Sequence, residues 1–208
     1  MAIFVGIDPG LSRGKFGLAM EKSGSPPRFA QLGVNDNRAK GIVSDFQRTE
    51  MIYAQLLEKL SAWGVIGRRS TYFAVEGPSL GRRQARTVQV GFVHDAIYRA
   101  LASFNKARVI TPTPSILKKF ATGYGFAQKD DMVDAAKEMM AGHPGRQIPG
   151  FTSEDLWEAY LLVELAKVVR THLKSSTRFP AVFRTRKKAG VLVHRIERKV
   201  YYHVETPQ

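Results

Sequence analysis

At 208 residues the chain has room for one domain with a full core, and 44% apolar content is ordinary for a globular protein. It has no cysteine, which excludes disulfides, thiolate zinc sites and cysteine nucleophiles; no run has the length of a membrane span and no signal-peptide pattern opens the chain, so a cytoplasmic protein with no membrane contact is expected. The net charge of +14 points to a polyanionic partner, nucleic acid before a membrane surface, because no basic amphipathic helix stands out.

In chain order, an apolar run from Ala2 to Ile7 reads as a strand that stops at Asp8, and Pro9-Gly10 turns the chain. Lys15–Met20 and Arg28–Val34 read as two further strands, which with short turns make an antiparallel meander. From Ile42 to Trp63 the apolar residues Phe46, Ile52, Tyr53, Leu56, Leu57 and Leu60 recur at helical spacing, and Gly64 follows as a stop. Thr71–Glu76 is a fourth strand, again closed by an acid and a Gly-Pro turn. Gln84–Phe104 is a helix with two apolar stripes, one of Val93, Ile97, Ala100, Leu101 and Phe104, the other of Val88, Phe92 and Ala96. The second stripe exceeds what one sheet contact requires and marks an association surface, hence a homodimer. Arg108–Ile110 is a short fifth strand. Helices follow over Pro114–Ala121, Asp130–Met140 and Thr152–Leu173. The expected core is therefore a mixed five-stranded sheet flanked by helices.

Four carboxylates carry the chemistry. A carboxylate at the end of a buried strand needs a cation or hydrogen-bond donors to receive it, and Asp8 and Glu76 both close apolar strands. If those strands are parallel neighbours, both acids emerge at the same end of the sheet, where ligands gather. Asp155 and Glu158 are three apart, on the helix face that continues through Ala159, Leu162, Leu165, Ala166 and Val169. Four converging acids require a counter-charge, and hard oxygen donors without cysteine or a spaced histidine pair select Mg²⁺ or Mn²⁺ over zinc. Two such ions per site suit phosphodiester hydrolysis.

Ile7-Asp8-Pro9-Gly10, Val75-Glu76-Gly77-Pro78-Ser79 and Asp155-Leu156-Trp157-Glu158-Ala159, in that order and separation, resemble the RuvC-type Holliday-junction resolvases. The stretch Pro112–Gly123 with Lys129-Asp130 looks especially like bacteriophage members. The resemblance covers roughly residues 2–172. It implies an RNase H-like fold, a homodimer, and Mg²⁺-dependent cutting of two strands of a four-way DNA junction. Carried over by position, Asp8, Glu76, Asp155 and Glu158 match the four acidic ligands, and Lys118 or Lys119 with Lys129 match lysines near the scissile phosphate. The chain departs from the pattern in carrying Glu158 where many members have Asp. It also has Ser79-Leu80-Gly81 where many bacterial members have an aromatic used at the junction centre.

Arg82, Arg83 and Arg86 open the helix after the Glu76 turn and are candidate phosphate contacts. Residues 173–208, beyond the 1–172 nuclease domain, form a basic extension with nine Lys or Arg against two Glu, a net +7. Val182–Arg186 and Val191–Val204 read there as a β-hairpin turning at Lys187-Lys188-Ala189-Gly190. Arg184, Arg186, Lys187 and Lys188 cluster at this turn, placed to track DNA arms. Rival readings are a related nuclease on RNA–DNA hybrids or other branched DNA, a non-catalytic junction-binding module, and an actin-like ATPase, for which the chain is too short.

Overall fold

The structure is a computed structural model that describes residues 1–9, 15–33, 45–65, 70–78, 84–104, 107–143, 153–175 and 191–195. The strands are β1 (Ile3–Asp8), β2 (Lys15–Lys22), β3 (Arg28–Gly33), β4 (Thr71–Val75), β5 (Arg108–Pro112) and β6 (Val191–Arg195). The helices are α1 (Asp45–Ala62), α2 (Gln84–Ala102), α3 (Pro114–Thr122), α4 (Lys129–Ala141) and α5 (Glu154–Ser175). The sheet order is β3-β2-β1-β4-β5-β6. β1, β4 and β5 are parallel; β2, β3 and β6 run against their neighbours.

Strand periodicity assigns the two faces. Ile3, Val5 and Ile7 of β1, with Phe73 and Val75 of β4, pack into the core shared with α1 and α2. Phe4 of β1, with Tyr72 and Ala74 of β4, packs into the second core, under α3, α4 and α5. α5 lies across β1 and β2 at two glycines. A Cβ on Gly6 would stand 1.9 Å from the Ala159 carbonyl oxygen, and one on Gly17 would stand 1.9 Å from that of Asp155. No other residue type allows this approach. Further along the helix, Lys167 bridges Glu164 at 2.6 Å and the buried Glu21 of β2 at 3.2 Å. The Arg170 guanidinium there covers the Phe4 ring at 5.6 Å.

Three expectations change. The sheet has six strands, because Val191–Arg195, part of the basic extension, pairs antiparallel with β5. The physical reason is the open outer edge of β5, which an apolar segment completes; the other expected strand, Val182–Arg186, lies outside the described residues. The second stripe of α2 also divides, since Ala96 is fully buried in the core while Phe92 is 43% exposed. Ala96 sits next to Ile97 at the overlap of the two stripes, and the core takes both. Finally, β4 ends at Val75, leaving Glu76 just beyond the strand. Among the described residues no helix is long and apolar enough to cross a membrane.

Candidate metal and DNA-cleavage site

Register and alternation bring the acids together. The parallel ladder of β1 and β4 pairs Ile7 with Val75, and Asp8 and Glu76 each stand one residue further on. The Glu76 amide donates to the Ile7 carbonyl at 3.1 Å, which fixes this step. Ile7 and Val75 belong to the α1/α2 face, so the next residues turn toward α5. Because Gly6 and Gly17 let α5 settle on the sheet, its first turns reach the same spot. Carboxylate oxygens of Asp8, Glu76 and Glu158 lie within 4.8 Å of one another.

The electrostatics follow from that crowding. Asp8 is 4% exposed. Burial first, then the charges of Glu158 and Glu76 and a hydrogen bond with Glu158, push its carboxyl well above the usual range. Glu76 is pushed up to about 8 by burial and by Glu158, against the opposing pull of Lys129 and Lys118. Without a counter-cation, the cluster therefore holds protons at neutral pH. An all-oxygen donor set this close, with excess negative charge, fits a hard divalent cation.

Asp155 stands at the edge of the cluster. Its charge reaches Asp8, while its Oδ2 accepts from Gln31 Nε2 at 3.4 Å, and the same Gln31 nitrogen donates to Ser153 Oγ at 2.8 Å. Gln31 carries no signal in the sequence. Its place is set by register alone, because Asp8 pairs with Gly17 and Gly17 with Gln31 across three strands. The side chain missing at Gly17 leaves the space that the Asp155 backbone carbonyl occupies.

Of the candidate lysines, Lys118 and Lys129 act on Glu76, and Lys119 is not among the charges that do. Burial works against the Lys129 charge, but a 2.9 Å hydrogen-bonded ion pair with Glu154 and the charges of Glu158, Glu154 and Asp8 outweigh it and raise its pKa. Arg82, Arg83, Arg184, Arg186, Lys187 and Lys188, and the side chain of Arg86, lie outside the described residues.

No protein-family model matches the chain. It is 29% identical over 143 residues to the crossover junction endodeoxyribonuclease RuvC of Synechococcus sp. (strain CC9902), an alignment spanning 68% of this chain and 86% of the relative. The same enzyme of Parasynechococcus marenigrum (strain WH8102) is 30% identical over the same shares. Among solved structures, Thermus thermophilus RuvC superimposes with a TM-score of 0.54 at 21% identity, over 84% of this chain and 97% of that one. T. thermophilus RuvC in complex with Holliday junction substrate gives 0.57 at 21% identity, over 84% and 98%. The fold is thus the RNase H-like fold of RuvC, and the chain belongs to the RuvC family of crossover junction endodeoxyribonucleases.

Proposed function

We propose that this protein resolves four-way DNA junctions by hydrolysing phosphodiesters with Mg²⁺, or Mn²⁺, held at the sheet end. The observation that carries the reading is the convergence of Asp8, Glu76 and Glu158, with Lys118 and Lys129 beside them, in a chain of net charge +14. Asp8, Glu76 and Glu158 would hold the ions, and Asp155, oriented by Gln31, would complete a two-ion set. Bound there, the ions supply Lewis acidity toward the phosphate and stabilise the charge of both reacting oxygens.

The chain's own residues do the rest. Lys118 and Lys129 place positive charge where the phosphate must lie against a cluster of acids, holding it in register. Arg82, Arg83 and Arg86, together with the basic residues at 184–188, serve as backbone contacts that position the duplex arms. Residues 1–172 form the nuclease unit, and 173–208 an extension that also contributes β6. Cutting two strands symmetrically calls for a two-fold dimer. The exposed Phe92 on α2 suits that contact, and light scattering at micromolar protein reads the assembly directly.

The deciding experiment incubates the protein with labelled four-way junction, linear duplex and RNA–DNA hybrid, in Mg²⁺ or in chelator. Selective, metal-dependent cutting of the junction is expected. Asp8→Asn and Glu76→Gln should abolish cutting and leave binding intact or tighter, since each removes negative charge near phosphate. Cleavage retained by both variants would refute the site, and equal cutting of all three substrates would refute the junction selectivity.

A further inference from the structure

Among the described residues only five large hydrophobic side chains are exposed, and two of them share one short loop. Tyr124 is 61% and Phe126 74% exposed, with ring centroids 5.7 Å apart and planes tilted by 59°. The loop joins α3 to α4, between the two lysines whose charges reach Glu76.

The loop is built, not merely tolerated. Gly123 closes α3 in the left-handed conformation at φ 80°, its amide donating to the Lys119 carbonyl. Thr122 Oγ1 accepts from the Tyr124 amide at 3.1 Å and lies 3.0 Å from the Lys118 carbonyl, to which it donates. At the other end, the Gln128 amide donates to Asp131 Oδ2 at 2.8 Å in a capping box that opens α4. Between them Ala127 is buried and Gly125 backs onto the Ser115 carbonyl. Both ends and the middle are fixed, yet the two rings face solvent. Neither ring contributes to a core, so the fold does not account for them.

Lys118 and Lys119 precede the rings in α3 and Lys129, paired with Glu154, follows them at the start of α4; of the acids that follow, Asp131 is engaged in the cap. Flat apolar rings bordered by cations fit nucleobases, whose faces stack while their phosphates meet the lysines. We propose that Tyr124 and Phe126 form a base-stacking element that receives unpaired bases next to the cleaved phosphate. This rests on the DNA-cleavage reading above and adds a function to a loop outside the acid cluster. The α3–α4 loop then carries two functions in one piece of chain: lysines at its ends for phosphates, aromatics at its tip for bases.

The test compares wild type with Tyr124→Ala, Phe126→Ala and the double variant on two junctions. One is fully paired and the other carries unpaired bases flanking the cut. Single-turnover cleavage of the paired junction should fall on the order of 10-fold per ring removed, and the pre-opened junction should restore most of it. Junction affinity should fall as well, with an unchanged slope against salt, because stacking releases no counterions. Wild-type cleavage of the paired junction by the double variant would overturn the proposal, as would equal losses on both substrates. If wild type binds junctions but cuts neither, the cleavage reading falls. In that case affinity decides the stacking element, which an unchanged affinity in the double variant would overturn. The rings are exposed, and an unchanged melting temperature confirms that folding is not the cause.

Discussion

The glycine at position 17 controls the site without carrying any chemical group. An alanine Cβ there would lie 1.9 Å from the Asp155 carbonyl oxygen and 2.5 Å from its carbonyl carbon, both backbone atoms that no rotamer change can move. Reaching even a tight contact of 3.0 Å requires lifting the start of α5 by about 1 Å. That shift carries Asp155 and Glu158 away from Asp8 and Glu76. A misplacement of about 1 Å in a reacting constellation costs on the order of 100-fold in rate, and overpacking of this kind costs about 1–3 kcal/mol of stability. For a chain of this length, the melting temperature should fall by roughly 3–10 °C. Gly24→Ala is the matched control. Its φ of 82° makes the substitution strained, at about 1–2 kcal/mol, but no atom lies within 4 Å of the new Cβ. Both variants should be assayed for junction cleavage well below their melting temperatures. Gly17→Ala should lose about 100-fold and Gly24→Ala almost nothing. Equal activities in the two would refute the claim that close helix approach sets the acid geometry.

Two further outcomes follow from buried charge and from the basic extension. Burial lowers the His94 pKa from 6.5 to about 4, so the native state takes up fewer protons than the unfolded chain between those values; stability is lost as pH falls from 6.5 toward 4 and levels off below, by roughly 3 kcal/mol in all. Asp8 and Glu76, raised above their usual range, act in the opposite sense. The measurement is therefore the difference in urea midpoint between wild type and His94→Gln across pH 4–7, and a constant difference would refute it. For the extension, deletion after Ser175 would also remove β6 from the edge of β5. Replacing Arg184, Arg186, Lys187 and Lys188 by alanine is the cleaner change, and the slope of log affinity against log salt should flatten by about 0.9 for each phosphate that is no longer neutralised. An unaltered slope would assign these residues a role away from DNA.

The acids that end β1 and follow β4 were legible because the signal is local, a carboxylate closing an apolar run before a turn, and backbone alternation then carries both to one face. The α5 pair was legible for a similar reason, since spacing on a helix fixes a face. Gln31 was not, because its importance arises from a three-strand register that no local pattern encodes. Gly6 and Gly17 look like weaknesses in strands until the helix that occupies their missing side chains is known. Ala96 falls on a surface stripe by spacing yet is buried, because small residues carry little information about which way a helix faces. The pairing of β6 depended on which sheet edge lay open, a property of the assembled fold. That Lys118 is among the charges acting on Glu76 and Lys119 is not likewise depends on the placement of α3.

The packing of α5 on β1 and β2 has a consequence for how the molecule comes into being. Asp8 leaves the ribosome about 150 residues before Glu158. Until then the sheet face carrying Phe4 and Ala19 lacks α5, and Asp8 and Glu76 lack the third carboxylate of their cluster. Such long-range closure is slow relative to local helix formation. A nascent chain therefore lacks the three-carboxylate cluster until α5 is made, and gains it only in the step that also completes its second core.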